Sequence, residues 1–235
     1  PIRALTFDIF GTVVDWHGSI EREAAARARA WGVPLDAGAF ARAWRTGYQP
    51  AMQDVRDGRL PWTSIDGLHR RILDGLWKAH GLPHGRPEEE INDLNLAWHR
   101  LDPWPDVAPG LAALRRQRIC TTLSNGNVSL LVDLARHGGY DWDAVFSAEL
   151  FEHYKPAPEV YLGACRLLGL APAEVLMVAA HPSDLRAAAA CGLRTAYIAR
   201  PLEWGPGGPM EATAPGEFDF SVSSLLELAE QLGPR

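Results

Sequence analysis

Cysteine is scarce in this sequence, and long apolar runs and basic clusters are missing from it. The three cysteines, Cys120, Cys165 and Cys191, are odd in number and far apart, which argues against a disulfide framework and favours a reducing cytoplasm. No apolar run approaches the roughly 18 residues that a membrane-spanning helix needs, and the chain enters a strand pattern without a signal-peptide pattern. The formal net charge is -6, so a nucleic-acid surface of clustered Lys and Arg is not expected. We therefore expect a cytoplasmic protein that binds neither nucleic acid nor a membrane.

The rest of the composition is ordinary for a globular protein, with 235 residues of which 47% are hydrophobic and 22% charged. This length suits one large domain, or a core with a smaller cap. Short apolar runs rich in Val, Ile and Thr alternate with helical patterns, which predicts a doubly wound α/β fold around a parallel, Rossmann-like sheet. The predicted strands are residues 2–7, 119–123, 145–147, 175–179 and 195–198, and the predicted helices are residues 110–117, 128–137, 158–168, 185–191 and 223–232.

One long segment, residues 16–101, breaks this alternation and has helical patterns only, at residues 20–31, 37–57, 64–80 and 87–101. An all-helical insert after the first strand is expected to cover the carboxyl end of the sheet, where ligands bind in open α/β folds. The sequence thus predicts a core domain of residues 1–15 and 102–235 and a cap domain of residues 16–101. Tryptophan is frequent in the insert, and packing of the helices explains this more simply than a substrate-pocket lining. Residues 201–216 are rich in Pro and Gly, and we expect a loop that either lines the site or crosses the surface.

Four short motifs follow predicted strands, and the first is centred on Asp8. This carboxylate comes directly after the first strand and is followed by a Gly11-Thr12 turn. Many strands end in an Asp that only caps a turn, so this residue alone is weak evidence. The order of the three later motifs gives it weight.

The second motif, Ser124-Asn125, follows the predicted strand 119–123. A hydroxyl and an amide at a strand-to-helix junction lie beside free backbone N–H groups, which makes a suitable corner for an anion. Ordinary turn chemistry is an equally good explanation for these two residues taken alone.

The third motif places Lys155 directly before Pro156-Ala157-Pro158, which holds the lysine on an extended or turn backbone. The chain has only one other lysine, Lys78. An ammonium fixed in this way could hold an anionic nucleophile and a substrate carboxylate together.

The fourth motif runs from the strand 175–179 into a loop that carries Ala180, His181 and Asp184. Asp184 is its only carboxylate. Because Mg²⁺ prefers several hard oxygen ligands in octahedral geometry, the motif predicts a site without a metal, and no cofactor is expected.

These four motifs in this order, with a helical insert after the first, resemble the haloacid dehalogenase-like superfamily, and within it the L-2-haloacid dehalogenase branch, over essentially the whole chain. The resemblance puts Asp8 at the nucleophile's position. In phosphatases of the superfamily a second Asp two residues later serves as acid/base and, through its backbone, as a magnesium ligand, whereas the L-2-haloacid dehalogenases have an aromatic residue there, which Phe10 matches. Arg45 matches an arginine on an early cap helix that assists halide departure.

The same resemblance implies that Lys155 and Ser124 hold the substrate carboxylate and that Asn125 helps to receive the halide. The chain departs from the family in the fourth motif, where the pattern Ser-Ser-Asn-x-x-Asp is replaced and His181 takes the position of the Asn. Since histidine can accept a proton near neutral pH, we expect His181 to activate water, with Asp184 or Glu21 as the alternative base. A histidine that only hydrogen-bonds the loop is the alternative, and Glu21 or Asp184 is expected to orient the ring.

The implied reaction converts short (S)-2-haloacids to (R)-2-hydroxy acids through an ester on Asp8, with Phe10 and Trp62 as an apolar wall. The alternatives are a Mg²⁺-dependent phosphatase or phosphonatase, a fluoroacetate-active variant of the same mechanism, and a non-catalytic binding protein of this fold. A homodimer is compatible with an apolar cap surface. The expected catalytic residues are Asp8, Arg45, Lys155, His181 and Asp184, and the expected substrate-binding residues are Phe10, Glu21, Trp62, Ser124 and Asn125.

Overall fold

A parallel β-sheet organises the computed structural model, which describes residues 1–83 and 85–233. The strands are β1 (Ala4–Phe7), β2 (Val14–Asp15), β3 (Asp102–Pro103), β4 (Ile119–Thr122), β5 (Val175–Ala179), β6 (Arg194–Ile198) and β7 (Phe220–Val222). The helices are α1 (Trp16–Trp31), α2 (Ala37–Thr46), α3 (Tyr48–Arg56), α4 (Ile65–Ala79), α5 (Glu88–Asn95), α6 (Val107–Arg115), α7 (Val128–Gly138), α8 (Pro158–Leu168), α9 (Pro182–Ala190) and α10 (Leu225–Leu232). The sheet has the order β4-β1-β5-β6-β7 with all neighbours parallel, which confirms the predicted fold class.

Strand β5 is buried along its whole length because both faces of the sheet are covered. Successive side chains of a strand point to opposite faces. Accordingly Leu176 and Val178 belong to one apolar core, while Met177 and Ala179 belong to the other. A strand covered on both faces is a continuous apolar run, which is why the run 175–179 predicts a strand with the observed bounds.

One strand prediction was wrong, and one edge strand of the sheet was missed. Residues 145–147 form no strand, and this part of the chain contributes only isolated bridges, such as the one between Ser124 and Ser147. Conversely, β7 lies at the edge of the sheet without having been predicted. Only Val222 of its three residues is buried, and Ser221 is exposed, so the strand lacks the apolar run by which a buried strand is recognised.

The predicted helix 37–57 is two helices, α2 and α3, which meet at Gly47. Pro50 has no N–H to donate to the carbonyl of Thr46, so the helical ladder is interrupted there. Gly47 also packs closely on α4, since a Cβ at this position would lie 2.7 Å from Cγ2 of Ile72. The predicted helix 87–101 is α5 followed by a 3-10 turn at Leu96–His99.

Most of the tryptophans in the insert pack against other aromatic rings. Trp44 and Trp98 are fully buried, with ring centroids 5.6 Å apart, and Trp31 lies 5.2 Å from Trp77. Packing of the helices, the simpler of the two explanations, therefore accounts for these four rings.

The two ends of the helical insert lie side by side in a short antiparallel ribbon. Strand β2 pairs with β3, with Val14 opposite Pro103. The predicted boundaries of the core and cap domains fall at this ribbon. The division into domains stays a prediction, and residues 84, 234 and 235, which it includes, lie outside the described residues. Within the described ranges, no helix has the length and apolar character needed to cross a membrane.

Candidate active site

The carboxylate of Asp8 lies at the carboxyl end of β1 in the centre of the sheet. The Asp8 N–H donates to the carbonyl of Val178 at 3.0 Å, which fixes the backbone one residue beyond the strand. The chain then turns at Gly11, whose φ of +83° favours glycine. This turn brings the hydroxyl of Thr12 to 2.7 Å from Oδ2 of Asp8, to which it donates.

Lys155 places its ammonium between two carboxylates. Its Nζ donates to Oδ1 of Asp8 at 2.9 Å and also to Oδ2 of Asp184. The backbone N–H of Lys155 donates to Oδ1 of Asn125 at 2.7 Å, so the second and third motifs are joined directly. Burial alone would raise the pKa of Asp8, but the Lys155 ammonium and the His181 ring together hold it well below its usual range. Asp8 is therefore a carboxylate at any working pH.

The His181 ring lies between Asp8 and a carboxylate that the motifs did not include, Glu203. The distance from Nδ1 of His181 to Oδ2 of Asp8 is 3.1 Å, and the distance from Nε2 to Oε1 of Glu203 is 2.9 Å. Although burial lowers the pKa of His181, the two carboxylates, Glu203 first, raise it to about 10. Glu203 is itself buried and accepts from Nε1 of Trp16 at 3.1 Å.

These groups open onto a cavity of about 160 Å³. Arg45 reaches this cavity from α2, with its guanidinium carbon 4.4 Å from the ring centroid of Tyr48 and 5.8 Å from that of Phe10. Its Nη1 is buried and has no hydrogen-bond partner in the part of the chain that the structure describes. A buried, unpartnered guanidinium N–H on an apolar wall is a good binding site for a small anion.

Seven of the ten residues expected from the sequence lie together at this cavity: Asp8, Phe10, Arg45, Asn125, Lys155, His181 and Asp184. Among the described residues, the cavity lining does not include Ser124, Trp62 or Glu21.

Each of these three residues has its own surroundings away from the cavity. The buried Ser124 hydroxyl accepts from the N–H of Gly126 at 3.2 Å. The Trp62 ring lies against Tyr154 at 4.6 Å. Glu21 is half-exposed and its nearest basic group is Nδ1 of His17 at 3.7 Å.

The expectation that Glu21 or Asp184 orients His181 is therefore corrected. Asp184 bonds to Lys155 and to the hydroxyl of Tyr161, whereas Glu203 bonds to the ring. Glu203 belongs to the Pro- and Gly-rich loop 201–216, so this loop does line the site. One signal could have found it: the loop begins directly after β6, at the same edge of the sheet as the other motifs.

The residues around Asp8 do not fit a bound Mg²⁺. The two carboxylates of the motifs, Asp8 and Asp184, both already bind the Lys155 ammonium, and the side chains at the flanking positions, Phe10 and Ala180, carry no oxygen. In residues 1–83 and 85–233, no group of three or more His, Cys, Asp or Glu side chains is arranged to hold a metal ion.

Comparisons with known proteins identify the family. A family model described as haloacid dehalogenase-like hydrolase matches residues 2–192. The chain is 29% identical over 240 residues to (S)-2-haloacid dehalogenase 1 of Pseudomonas sp. (strain CBS-3), covering 99% of this chain and 97% of that protein. The structure of the L-2-haloacid dehalogenase PA0810 is similar, with 47% identity, a TM-score of 0.94 and coverage of 99% of each chain. The defluorinating L-2-haloacid dehalogenase Rha0230 has 43% identity and a TM-score of 0.95, covering 98% of this chain and 95% of that one.

Proposed function

The chain belongs to the haloacid dehalogenase-like hydrolases, and we propose that within this family it is an (S)-2-haloacid dehalogenase, which releases halide from short 2-haloacids and yields (R)-2-hydroxy acids. One observation carries the proposal. Beside the Asp8 carboxylate, the cavity has the aromatic ring of Phe10, where a phosphatase would need an acid. It also has Nη1 of Arg45, which is buried and has no hydrogen-bond partner among the described residues. An ionised nucleophile, an apolar wall and a buried cation suit displacement of a halide from carbon.

In the first step, an oxygen of Asp8 attacks the halogen-bearing carbon in line, an ester forms, and the halide leaves with the bonding electron pair. Attack from the side opposite the halogen inverts the carbon. Arg45 and Asn125 stabilise the departing anion, because their N–H groups lie at the cavity where its charge develops.

Lys155 holds the substrate carboxylate in this scheme. An ammonium has three N–H donors, of which two bind Asp8 and Asp184, so one is available to the substrate. Ser124 is fully buried and is not one of the residues that line the cavity, so we assign the substrate carboxylate to Lys155 and not to Ser124.

In the second step, water attacks the ester carbonyl carbon, which releases the hydroxy acid and restores Asp8. His181 is the side chain placed to activate this water, because its Nδ1 lies 3.1 Å from the Asp8 carboxylate. Neither step involves a metal ion in this proposal.

A first test compares halide release from (S)- and (R)-2-chloropropionate in buffer with EDTA, with p-nitrophenyl phosphate and Mg²⁺ assayed alongside. We expect halide from the (S) form only, at a rate that EDTA does not change, because Lys155 already supplies the positive charge between the carboxylates. Phosphate release that depends on Mg²⁺, without any halide release, would contradict the proposal and favour the phosphatase alternative. Absence of both activities would favour the non-catalytic alternative.

Fluoroacetate is a second candidate substrate, since the chain resembles a protein described as defluorinating and its cavity of about 160 Å³ suits a short acid. We expect fluoride release from fluoroacetate to be slower than chloride release from chloroacetate, because the C–F bond is the harder one to break. Ion-selective electrodes measure both products directly. A lack of fluoride after prolonged incubation, with chloride released normally, would restrict the enzyme to the heavier halogens.

A further inference from the structure

The water-activating histidine is blocked in the resting site. Ionised carboxylates only accept hydrogen bonds, and His181 faces one at each ring nitrogen, Asp8 at Nδ1 and Glu203 at Nε2. Both contacts are hydrogen bonds only if both nitrogens carry a proton. The resting ring is therefore an imidazolium, consistent with a pKa raised by Glu203 and Asp8 to about 10, and an imidazolium cannot take a proton from water.

The other charged groups around His181 do not favour loss of its proton. Lys155 and Asp184 lie on the far side of Asp8, and Arg45 favours the ionised form of Glu203 from α2. On the outer side of the ring, a second cavity is lined by Tyr197, Arg200 and Glu211. Arg200 is held by both oxygens of Asp106, so its charge is already paired.

Formation of the ester changes one of the two carboxylates that hold the proton. Once Asp8 has attacked the substrate it is a neutral ester, and His181 keeps only Glu203 as an anionic partner. The Nε2–H stays bonded to Glu203, so the proton that leaves is the one on Nδ1, the nitrogen that faces the ester.

We propose that loading of Asp8 with substrate is the event that frees His181 to act as a base, and that Glu203 is the positioning residue that decides which ring nitrogen becomes the base. This inference rests on the proposed dehalogenase activity and concerns the timing of its second step. It makes the basic form of His181 dependent on the first step, and it requires no movement of the backbone.

The protons balance over one turnover. The Nδ1 proton goes to solvent after the ester has formed and the halide has left. Water then gives a proton to Nδ1 while its oxygen bonds to the ester carbonyl carbon. The bond between the carbonyl carbon of Asp8 and the ester oxygen breaks, and this oxygen leaves with the substrate as an alkoxide. The alkoxide takes the proton from Nδ1, and the remaining acid proton of Asp8 returns to Nδ1. One water is consumed, and one halide, one proton and one hydroxy acid are released.

The test is a single turnover with excess enzyme and (S)-2-chloropropionate in weak buffer with a pH indicator, at about pH 8, which lies between the ordinary pKa of histidine and its value in the resting site. Mixing with propionate measures any protons that move on binding alone. We expect one proton per active site to appear together with the halide and before the hydroxy acid. Chemical quench of the reaction measures the hydroxy acid. A proton that appears only with the hydroxy acid would overturn the proposal while leaving the dehalogenase function intact. If no halide is released, the proposed function itself fails.

Variants distinguish a positioning role of Glu203 from a purely structural role. Glu203→Gln keeps an amide oxygen that can accept from the ring N–H but removes the negative charge. We expect this variant to release little or no proton before the hydroxy acid, while its halide burst remains. Its rate of ester hydrolysis should begin to fall only at a lower pH than in the wild type. Glu211→Gln is the matched control, a carboxylate on the same loop that bonds Ser183 and Arg186 instead of the ring, and it should leave all three unchanged. An unchanged early proton in Glu203→Gln would contradict the proposal.

His181→Gln gives a second readout if Glu203→Gln folds poorly. We expect halide release without an early proton, and hydrolysis slowed by about 10²- to 10⁴-fold, so that the ester accumulates and intact-protein mass increases by one propanoate unit. Turnover at the wild-type rate in this variant would exclude His181 as the base.

Discussion

Asp8→Asn is expected to abolish halide release even in the first turnover, with kcat reduced by about 10⁴-fold or more. The reason is chemical, because an amide oxygen is a much poorer nucleophile than a carboxylate oxygen and cannot form the ester that the mechanism requires. The substitution nearly preserves the shape of the side chain, and its one amide oxygen can still accept from either Thr12 or Lys155, which bond to different oxygens of Asp8. The loss would therefore arise from the missing charge and not from a collapsed site.

The measurement is pre-steady-state halide release, together with mass spectrometry of the protein after incubation with substrate. Asp141→Asn is a suitable control, since the Asp141 side chain is 87% exposed and pairs only loosely with Arg115, and we expect it to match the wild type. A halide burst of one equivalent in Asp8→Asn would show that another group is the nucleophile.

Lys155→Met is expected to reduce kcat/KM strongly, by about 10²-fold or more, and to destabilise the protein by roughly 3–5 kcal/mol, as removal of one partner of a buried ion pair does. The Lys155 side chain is only 7% exposed, and without its ammonium Asp8 and Asp184 face each other at the end of the sheet. The pKa of Asp8, now held well below its usual range by Lys155 and His181, would rise.

The sign of the pH dependence follows from this change. A carboxylate with a lowered pKa stabilises the folded state above its unfolded pKa, and that stability is lost as the pH falls through the folded value. In Lys155→Met the loss of stability on acidification, and the acid limb of kcat/KM, should therefore both move to higher pH.

Thermal unfolding and rate profiles from acid to neutral pH check this prediction. Lys78→Met, at the only other lysine of the chain, is the control, since Lys78 is exposed on α4. An unchanged acid limb in Lys155→Met would mean that Lys155 does not control the charge of Asp8.

The sequence by itself determined the fold class and most of the site. Strand β5 and strand β1, which precedes Asp8, are apolar runs, and such runs mark buried strands in the sequence. The polar residues that follow these strands, Asp8 and His181, could be brought together in advance because the carboxyl ends of parallel strands meet at one edge. The aromatic residue Phe10 favoured a dehalogenase over a phosphatase from the sequence alone.

Only the tertiary structure decided which carboxylate faces His181. Asp184 lies in the same motif as His181, and Glu21 lies early in the helical insert. The carboxylate bonded to Nε2 of His181 is nevertheless Glu203, on an irregular loop that follows β6. A loop has no periodicity from which the direction of a side chain can be read, and its course depends on what it packs against. The Glu203 carboxyl group is held by Trp16 and lies close to Gly11, two residues far from it in the chain. That contact, and with it the charge on His181, exists only once the sheet has formed and the helical insert has packed on it.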